Sequence, residues 1–225
     1  MSYAGLAVER EGPVGWLIFD RPKVGNAMDA AMLADLPKAW RELDEDPSVR
    51  VIVNTGNGPS FQTGLDVRQL AKDKDALREQ SRRTKRAELL ITAWHNKVAT
   101  PVIAAVNGTC AGGGLHFVAD ADIVIAASDA VFCDPHVSVG QVSAFELIGL
   151  ARRAAFEPTA RMGLIGRHEK LPAERARQLG IVSEVVPPAE LRDTARSLAG
   201  KIALNPPDEV RHIKQLLWRA LEDPA

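Results

Sequence analysis

Apolar and polar residues alternate at the start of the chain, at Leu6 and Val8 and then from Val14 to Phe19, as two short strands require. The charged stretch from Glu9 to Gly12 reads as the hairpin turn between them. RPKVGNAMD follows as a loop marked by Pro, Gly and Asn. The spacing then becomes helical. Met32, Leu33, Leu36 and Trp40 fall on one face of a helix through Ala30–Leu43, with Asp29 as its N-cap and Pro37 as an awkward interior residue. RVIVNTG, VIAAVNG, IVIAAS and AVFCDP are short apolar runs of the buried-strand type, and IVSEVVP is a short strand or extended segment. Residues 68–96, centred on REQSRRTKRAELL, read as a charged surface helix, and 141–166, 172–180, 188–204 and 207–222 read as helical. Strands alternating with helices predict an α/β fold.

Composition narrows the function classes. The 28 Lys+Arg balance 29 Asp+Glu, so no global basic excess exists to neutralise a phosphate backbone, and the charge balance argues against nucleic acid as a partner. Two cysteines are too few for a disulfide framework and fit reduced thiols in a cytoplasmic protein. The N-terminal segment lacks a basic stretch followed by an apolar one, and no apolar run reaches the ~18 residues of a membrane span.

Two Gly-marked loops carry the candidate chemistry. Ala111-Gly112-Gly113-Gly114 follows a strand and opens a helix, where backbone N–H groups can approach a ligand closely. The G-x-G-x-x-G spacing of a dinucleotide site and the Gly-Lys-Ser/Thr ending of a phosphate loop are both absent. An oxyanion hole and a tight packing turn remain open. SFQTGLD follows an earlier buried strand, so neighbouring strands would bring both loops over one crevice.

S-F-x-x-G-x-D, followed about fifty residues later by P-V-I-A-A-V-N-G-x-x-A-G-G-G, resembles the crotonase family, the enoyl-CoA hydratases and isomerases. RPKVGNAMD resembles that family's early loop, and LPAERARQLGIVSEVVP its later A-x-x-x-G-L-V segment. The resemblance implies an α/β spiral of ββα units with a helical C-terminal part. It places a core with an acyl-CoA site over residues 1–190 and a C-terminal helical segment over 191–225, shorter than is usual in the family. It also implies homotrimers or homohexamers, with coenzyme A entering as part of the substrate and no covalently bound cofactor or metal. Residue by residue, the thioester oxygen would lie between the N–H groups of Leu65 and Gly113. Fixed donors there stabilise the negative charge of an enolate, each typically worth about 3 kcal/mol.

The sequence departs from the family at the chemistry. The resemblance implies two glutamates at positions occupied here by His116, in GGGLHF, and His136, in FCDPH. Ordinary hydratase activity is therefore in doubt. Histidine exchanges protons near neutral pH. His116 would sit in the first turn of its helix, where the dipole favours a neutral ring and Asp120, four residues on, can orient it. Glu146 can supply the missing carboxylate or stand in solvent; Asp134 can orient His136; Ser143 has no evident base partner. Cys110, His116, Cys133 and His136 could in principle make a zinc site, although the family spacing explains them without metal. Asp66 reads as a helix cap. Lys23 and Arg68 are candidate coenzyme A contacts, and the basic run from Arg78 to Arg86 either meets phosphates or faces solvent. His95, His168 and His212 read as ordinary positions. The resulting expectation is enolate chemistry on an acyl-CoA. Thioester hydrolysis or displacement, and a non-catalytic acyl-CoA-binding subunit, are the alternatives.

Overall fold

The computed structural model describes residues 2–66, 89–143 and 145–222. The chain folds into two sheets with helices packed around them. β1 (Leu6–Glu11) and β2 (Val14–Phe19) form an antiparallel hairpin. The pairing continues to Glu11 opposite Val14, so the turn is Gly12-Pro13 and not the expected Glu9–Gly12. The charges there belong to an edge strand rather than a loop. Glu9 and Glu11 reach Arg192 and Arg196, and Arg10 pairs with Glu42 and Asp46.

β3 (Val51–Gly56), β5 (Val102–Val106), β7 (Ile123–Ala127) and β10 (Glu184–Val186) continue that sheet in parallel, in the order β1-β2-β3-β5-β7-β10. β4 (Ser60–Gln62), β6 (Thr109–Ala111), β8 (Val131–Cys133) and β9 (Leu171–Pro172) form the second, four-stranded sheet in that order. Three times the chain leaves the large sheet and enters the small one, at β3–β4, β5–β6 and β7–β8. This stepping is the spiral, and it stacks the loops after β4, β6 and β8 beside one another. Phe19 of β2 sits edge-on to Phe61 of β4 and to Phe117, at ring distances of 5.4 and 4.8 Å, and so ties the two sheets together.

α1 (Ala30–Asp44) starts where expected, with the Asp29 carboxylate accepting from the Met32 N–H at 2.8 Å. Met32, Leu36, Trp40 and Leu43 are buried, and Pro37 is accommodated within the helix. The expected 68–96 helix lies outside the described residues up to 88. From Leu89 onward the chain is not helical: Leu89, Ile91 and Ala93 are buried, and a turn at Thr92–Lys97 follows. The Trp40 indole holds this segment by donating to Ile91 O.

The expected 141–166 helix is two helices, α3 (Phe145–Ala151) and α4 (Phe156–Ile165). Arg153 breaks the run by turning inward, where its guanidinium donates to the carbonyls of Ala119, Ala121 and Asp122 behind α2 (Leu115–Ala119). α5 (Ala173–Gln178) follows β9. α6 (Leu191–Ala203) covers the large sheet with Leu191, Ala195 and Ala199, all buried. α7 (Pro207–Glu222) is anchored to Asp122 by Lys214 and the Trp218 indole.

Candidate active site

The SFQTGLD loop is fixed by a short bridge to the early loop. Met28 N–H donates to Gly64 O and Asp66 N–H to Met28 O, both at 2.8 Å. This pattern uses the residues on either side of Leu65 and leaves the Leu65 N–H without an acceptor among the described residues. Asn26 secures the same loops from beneath. It is fully buried with φ +60°, and its amide donates to the carbonyls of Asn57, Ser60 and Phe61 while its oxygen accepts from Arg21 N–H. Sequence reading passed over Asn26, although the G-N pair in the loop is the signal that a left-handed residue stands there. Asp66 pairs with Arg21; the helix it was expected to cap lies outside the described residues.

The second loop lies directly against the first. Gly64 has φ +92°, and a Cβ built on it would stand 3.0 Å from the Gly113 nitrogen. Gly113 is the middle residue of the 3-10 turn Gly112–Gly114 that leads into α2, so its N–H precedes the first helical acceptor. It too has no acceptor among the described residues. Two unused backbone donors from touching loops are the minimum equipment of an oxyanion hole.

Three titratable side chains converge beside this turn. His116, in α2, is 5% exposed, and its Nε2 lies 3.3 Å from Glu146 Oε1. The same oxygen lies 3.9 Å from His136 Nε2. Glu146, at the start of α3, is therefore enclosed, not solvent-facing, with its side chain 12% exposed. Ser143 donates to its other oxygen at 3.2 Å. His136 packs across Gly112, where a Cβ would stand 3.4 Å from Cε1. Asp134 accepts from both the backbone N–H and Nδ1 of His136, the latter at 2.6 Å. Asp134 is 1% exposed and its second carboxylate oxygen has no partner, so His136 is its principal compensation.

The electrostatics follow from these contacts. The Asp134 hydrogen bond raises the His136 pKa against the effect of burial, and the charge of Glu146 adds to the rise. Burial pushes Glu146 upward, but the hydrogen bond and charge of His116, with the charge of His136, outweigh it and hold the carboxyl down at about 2. The site thus presents an ionised carboxylate between two imidazoles, one of them favoured in its protonated form.

Asp120 is not bonded to His116. It accepts a hydrogen bond from Thr92 at 2.7 Å, and Thr92 Oγ1 lies 2.6 Å from His95 Nδ1. His95, read as an ordinary position, stands with its ring 5.8 Å from that of His116. No local motif marks it, because the turn that delivers it is set by tertiary packing. His95, His116 and Asp120 each offer a ligand atom within 4.8 Å of the others, the one metal-capable cluster among the described residues. Cys110 and Cys133 are free, buried and outside it, so the zinc set considered from the sequence is not assembled. Lys23 is exposed on a 3-10 turn, Pro22–Val24, next to the Leu65 loop, since Thr63 donates to Gly25 O. Arg68 and the basic run Arg78–Arg86 lie outside the described residues.

An α/β spiral that stacks Gly-marked loops and frees two N–H groups beside a proton-carrying cluster defines a crotonase-fold protein. The sequence profile of the enoyl-CoA hydratase/isomerase family matches residues 9–225, and the chain belongs to that family. It is 34% identical over 211 residues to an (E)-benzylidenesuccinyl-CoA hydratase of Thauera aromatica, covering 93% of this chain and 80% of the relative. It is 31% identical over 229 residues to a short-chain-enoyl-CoA hydratase of Clostridium acetobutylicum, with coverages of 99% and 84%. Among solved structures, an enoyl-CoA hydratase/isomerase from Mycobacterium paratuberculosis superposes with a TM-score of 0.88 at 34% identity, over 99% of this chain and 85% of that one.

Proposed function

We propose that this protein acts on an acyl-CoA thioester and stabilises its enolate. The thioester oxygen is taken by the N–H groups of Leu65 and Gly113, and protons at the neighbouring carbons are moved by the His116–Glu146–His136 group. The observation that carries this reading is Glu146 Oε1 standing between the two Nε2 atoms, 3.3 and 3.9 Å away, beside the paired glycine loops. His136, held by Asp134, serves as the proton donor. His116 and Glu146, joined at Nε2, together form the acceptor side of the site. These two histidines occupy the positions at which the family resemblance implies glutamates, so the reaction is not assumed to be ordinary water addition.

Lys23 and Arg68 are the proposed coenzyme A contacts; the placement of Lys23 beside the Leu65 loop supports its part. Copies of the chain are proposed to assemble as homotrimers or homohexamers. The exposed Phe156, Leu164 and Leu204, at 79, 81 and 86%, supply apolar surface for such contacts. Sedimentation at several concentrations reads this directly, and a monomer throughout would refute it.

The test of the chemistry is mass spectrometry of an acyl-CoA panel incubated with the protein in heavy water. Deuterium uptake at the α-carbon, or water addition to an enoyl-CoA, is expected. Release of free coenzyme A without α-exchange would replace this reading by thioester hydrolysis. Binding with no chemical change would replace it by a non-catalytic subunit.

A further inference from the structure

We propose that His95, tied through Thr92 to Asp120, is a positioning residue that holds the His116 imidazole with Nε2 presented to Glu146. The inference rests on the reading of His116 as a proton carrier given above. A histidine at the start of a five-residue helix has a soft terminal torsion, and a half-turn of its ring puts Cδ2 where Nδ1 stood and Cε1 where Nε2 stood. Only one orientation places Nε2 at 3.3 Å from the carboxylate. Something must select it, and Asp120 does not bond His116 directly.

The selecting surface is the His95 ring. It lies edge-to-face with His116 at 5.8 Å and 64°, and Trp94 stands across it at 5.3 Å. His95 is itself fixed. The Thr92 hydroxyl carries one proton and donates it to Asp120 Oδ2 at 2.7 Å, a bond that favours the ionised carboxylate against the burial that raises its pKa. Its oxygen is then free to accept from His95 Nδ1 at 2.6 Å, and it also accepts from the His95 backbone N–H at 3.3 Å. This order of donors places the His95 proton on Nδ1. Burial, and then the charge of His116, lower the His95 pKa to about 4, so the ring that meets His116 is uncharged at neutral pH. The charged neighbours of the unit are Asp120 at the end of α2, Glu146 on α3, Arg152 and Arg153 following α3, and His136 beyond Glu146.

The same three residues could instead hold a divalent cation. The threonine hydroxyl within hydrogen-bond distance of both His95 and Asp120 accounts for the closeness of those two without one.

The test compares Thr92→Val, which keeps the shape and loses the hydroxyl, with Thr92→Ser, which keeps the hydroxyl, and with His95→Ala. Nitrogen NMR of ring-labelled histidines, with His116 assigned by its own substitution, reads its tautomer and titration without substrate. Thr92→Val and His95→Ala are expected to mix the His116 tautomers and move its midpoint, while Thr92→Ser restores the wild-type signals. In turnover, the first two should lower kcat roughly ten- to hundredfold with little change in KM and displace the pH profile. Unchanged His116 tautomer and titration in both variants would overturn the proposal. So would saturable binding of added zinc that is lost in Asp120→Ala. Because the NMR needs no turnover, an inactive wild-type protein would sink the enolate reading while leaving this proposal to be decided on the ring signals.

Discussion

The Glu146 carboxylate lies 3.3 Å from His116 Nε2 although the two residues come from different helices, separated in the chain by β7, β8 and the turn that carries His136. Packing of α2 against α3 sets that distance, helped by Gly149, whose missing side chain lets α3 approach Ala119. Glu146→Gln keeps the shape and removes the charge between the imidazoles. Turnover is expected to fall about 100-fold or more, the scale of positioned proton transfer, with acyl-CoA affinity nearly unchanged. Exchange rates and binding isotherms on the same preparation check this. Turnover within threefold of wild type would remove Glu146 from the chemistry.

The Asp134–His136 pair makes a prediction in pH. The His136 pKa is raised in the folded protein, chiefly by Asp134. A histidine raised on folding contributes stability that is fully present below its unfolded value of about 6.5 and is lost as pH rises through the folded value. Asp134→Asn removes the main cause. The stability difference between wild type and Asp134→Asn should therefore be largest near pH 5.5 and shrink as pH increases past the His136 midpoint. Urea unfolding across that range measures it; a difference independent of pH would show that Asp134 acts only through packing.

Much of the fold is legible in local pattern, because buried strands such as VIAAV and the helix capped at Asp29 satisfy their own propensities. The Leu65 and Gly113 loops are legible for a related reason, since glycine at a close backbone approach leaves a mark in the sequence. Long-range decisions are not. The charged β1 residues imitate a turn because an edge strand tolerates charge, and the break at Arg153 depends on carbonyls exposed behind α2. His95 is the sharpest case. Its neighbours in sequence say nothing of His116, and only the turn at Thr92–Lys97 brings the rings together. Glu146 was visible as a candidate, but its enclosure follows from how α3 packs on α2.

His95 also predicts an acid weakness. Its pKa is lowered to about 4 by burial and then by His116, so between about 6.5 and 4 the unfolded chain binds a proton that the native ring refuses. Stability from this group accordingly falls as pH drops through that window, by up to about 3 kcal/mol at its lower end. His95→Gln cannot titrate and should flatten the slope. Unfolding midpoints at pH 6.5, 5.5 and 4.5 test the difference. Parallel profiles for the two proteins would mean that His95 takes up its proton in the native state as readily as in the unfolded one.

Gly64 and Gly12 separate backbone strain from site geometry. Both have positive φ, +92° and +56°, where a side chain is strained. A Cβ at Gly12 meets nothing, whereas one at Gly64 presses on the Gly113 nitrogen at 3.0 Å. Gly12→Ala should cost about 1 kcal/mol of stability and leave turnover intact. Gly64→Ala should cost about 1–3 kcal/mol and also push apart the loops that carry the two free N–H groups. Even a displacement of a few tenths of an ångström lengthens both hydrogen bonds to a developing oxyanion, so kcat should fall at least about tenfold. Thermal unfolding and turnover measured side by side decide the matter. Equal activity in the two variants would show that the contact of Gly64 with Gly113 does not set the geometry of the reaction.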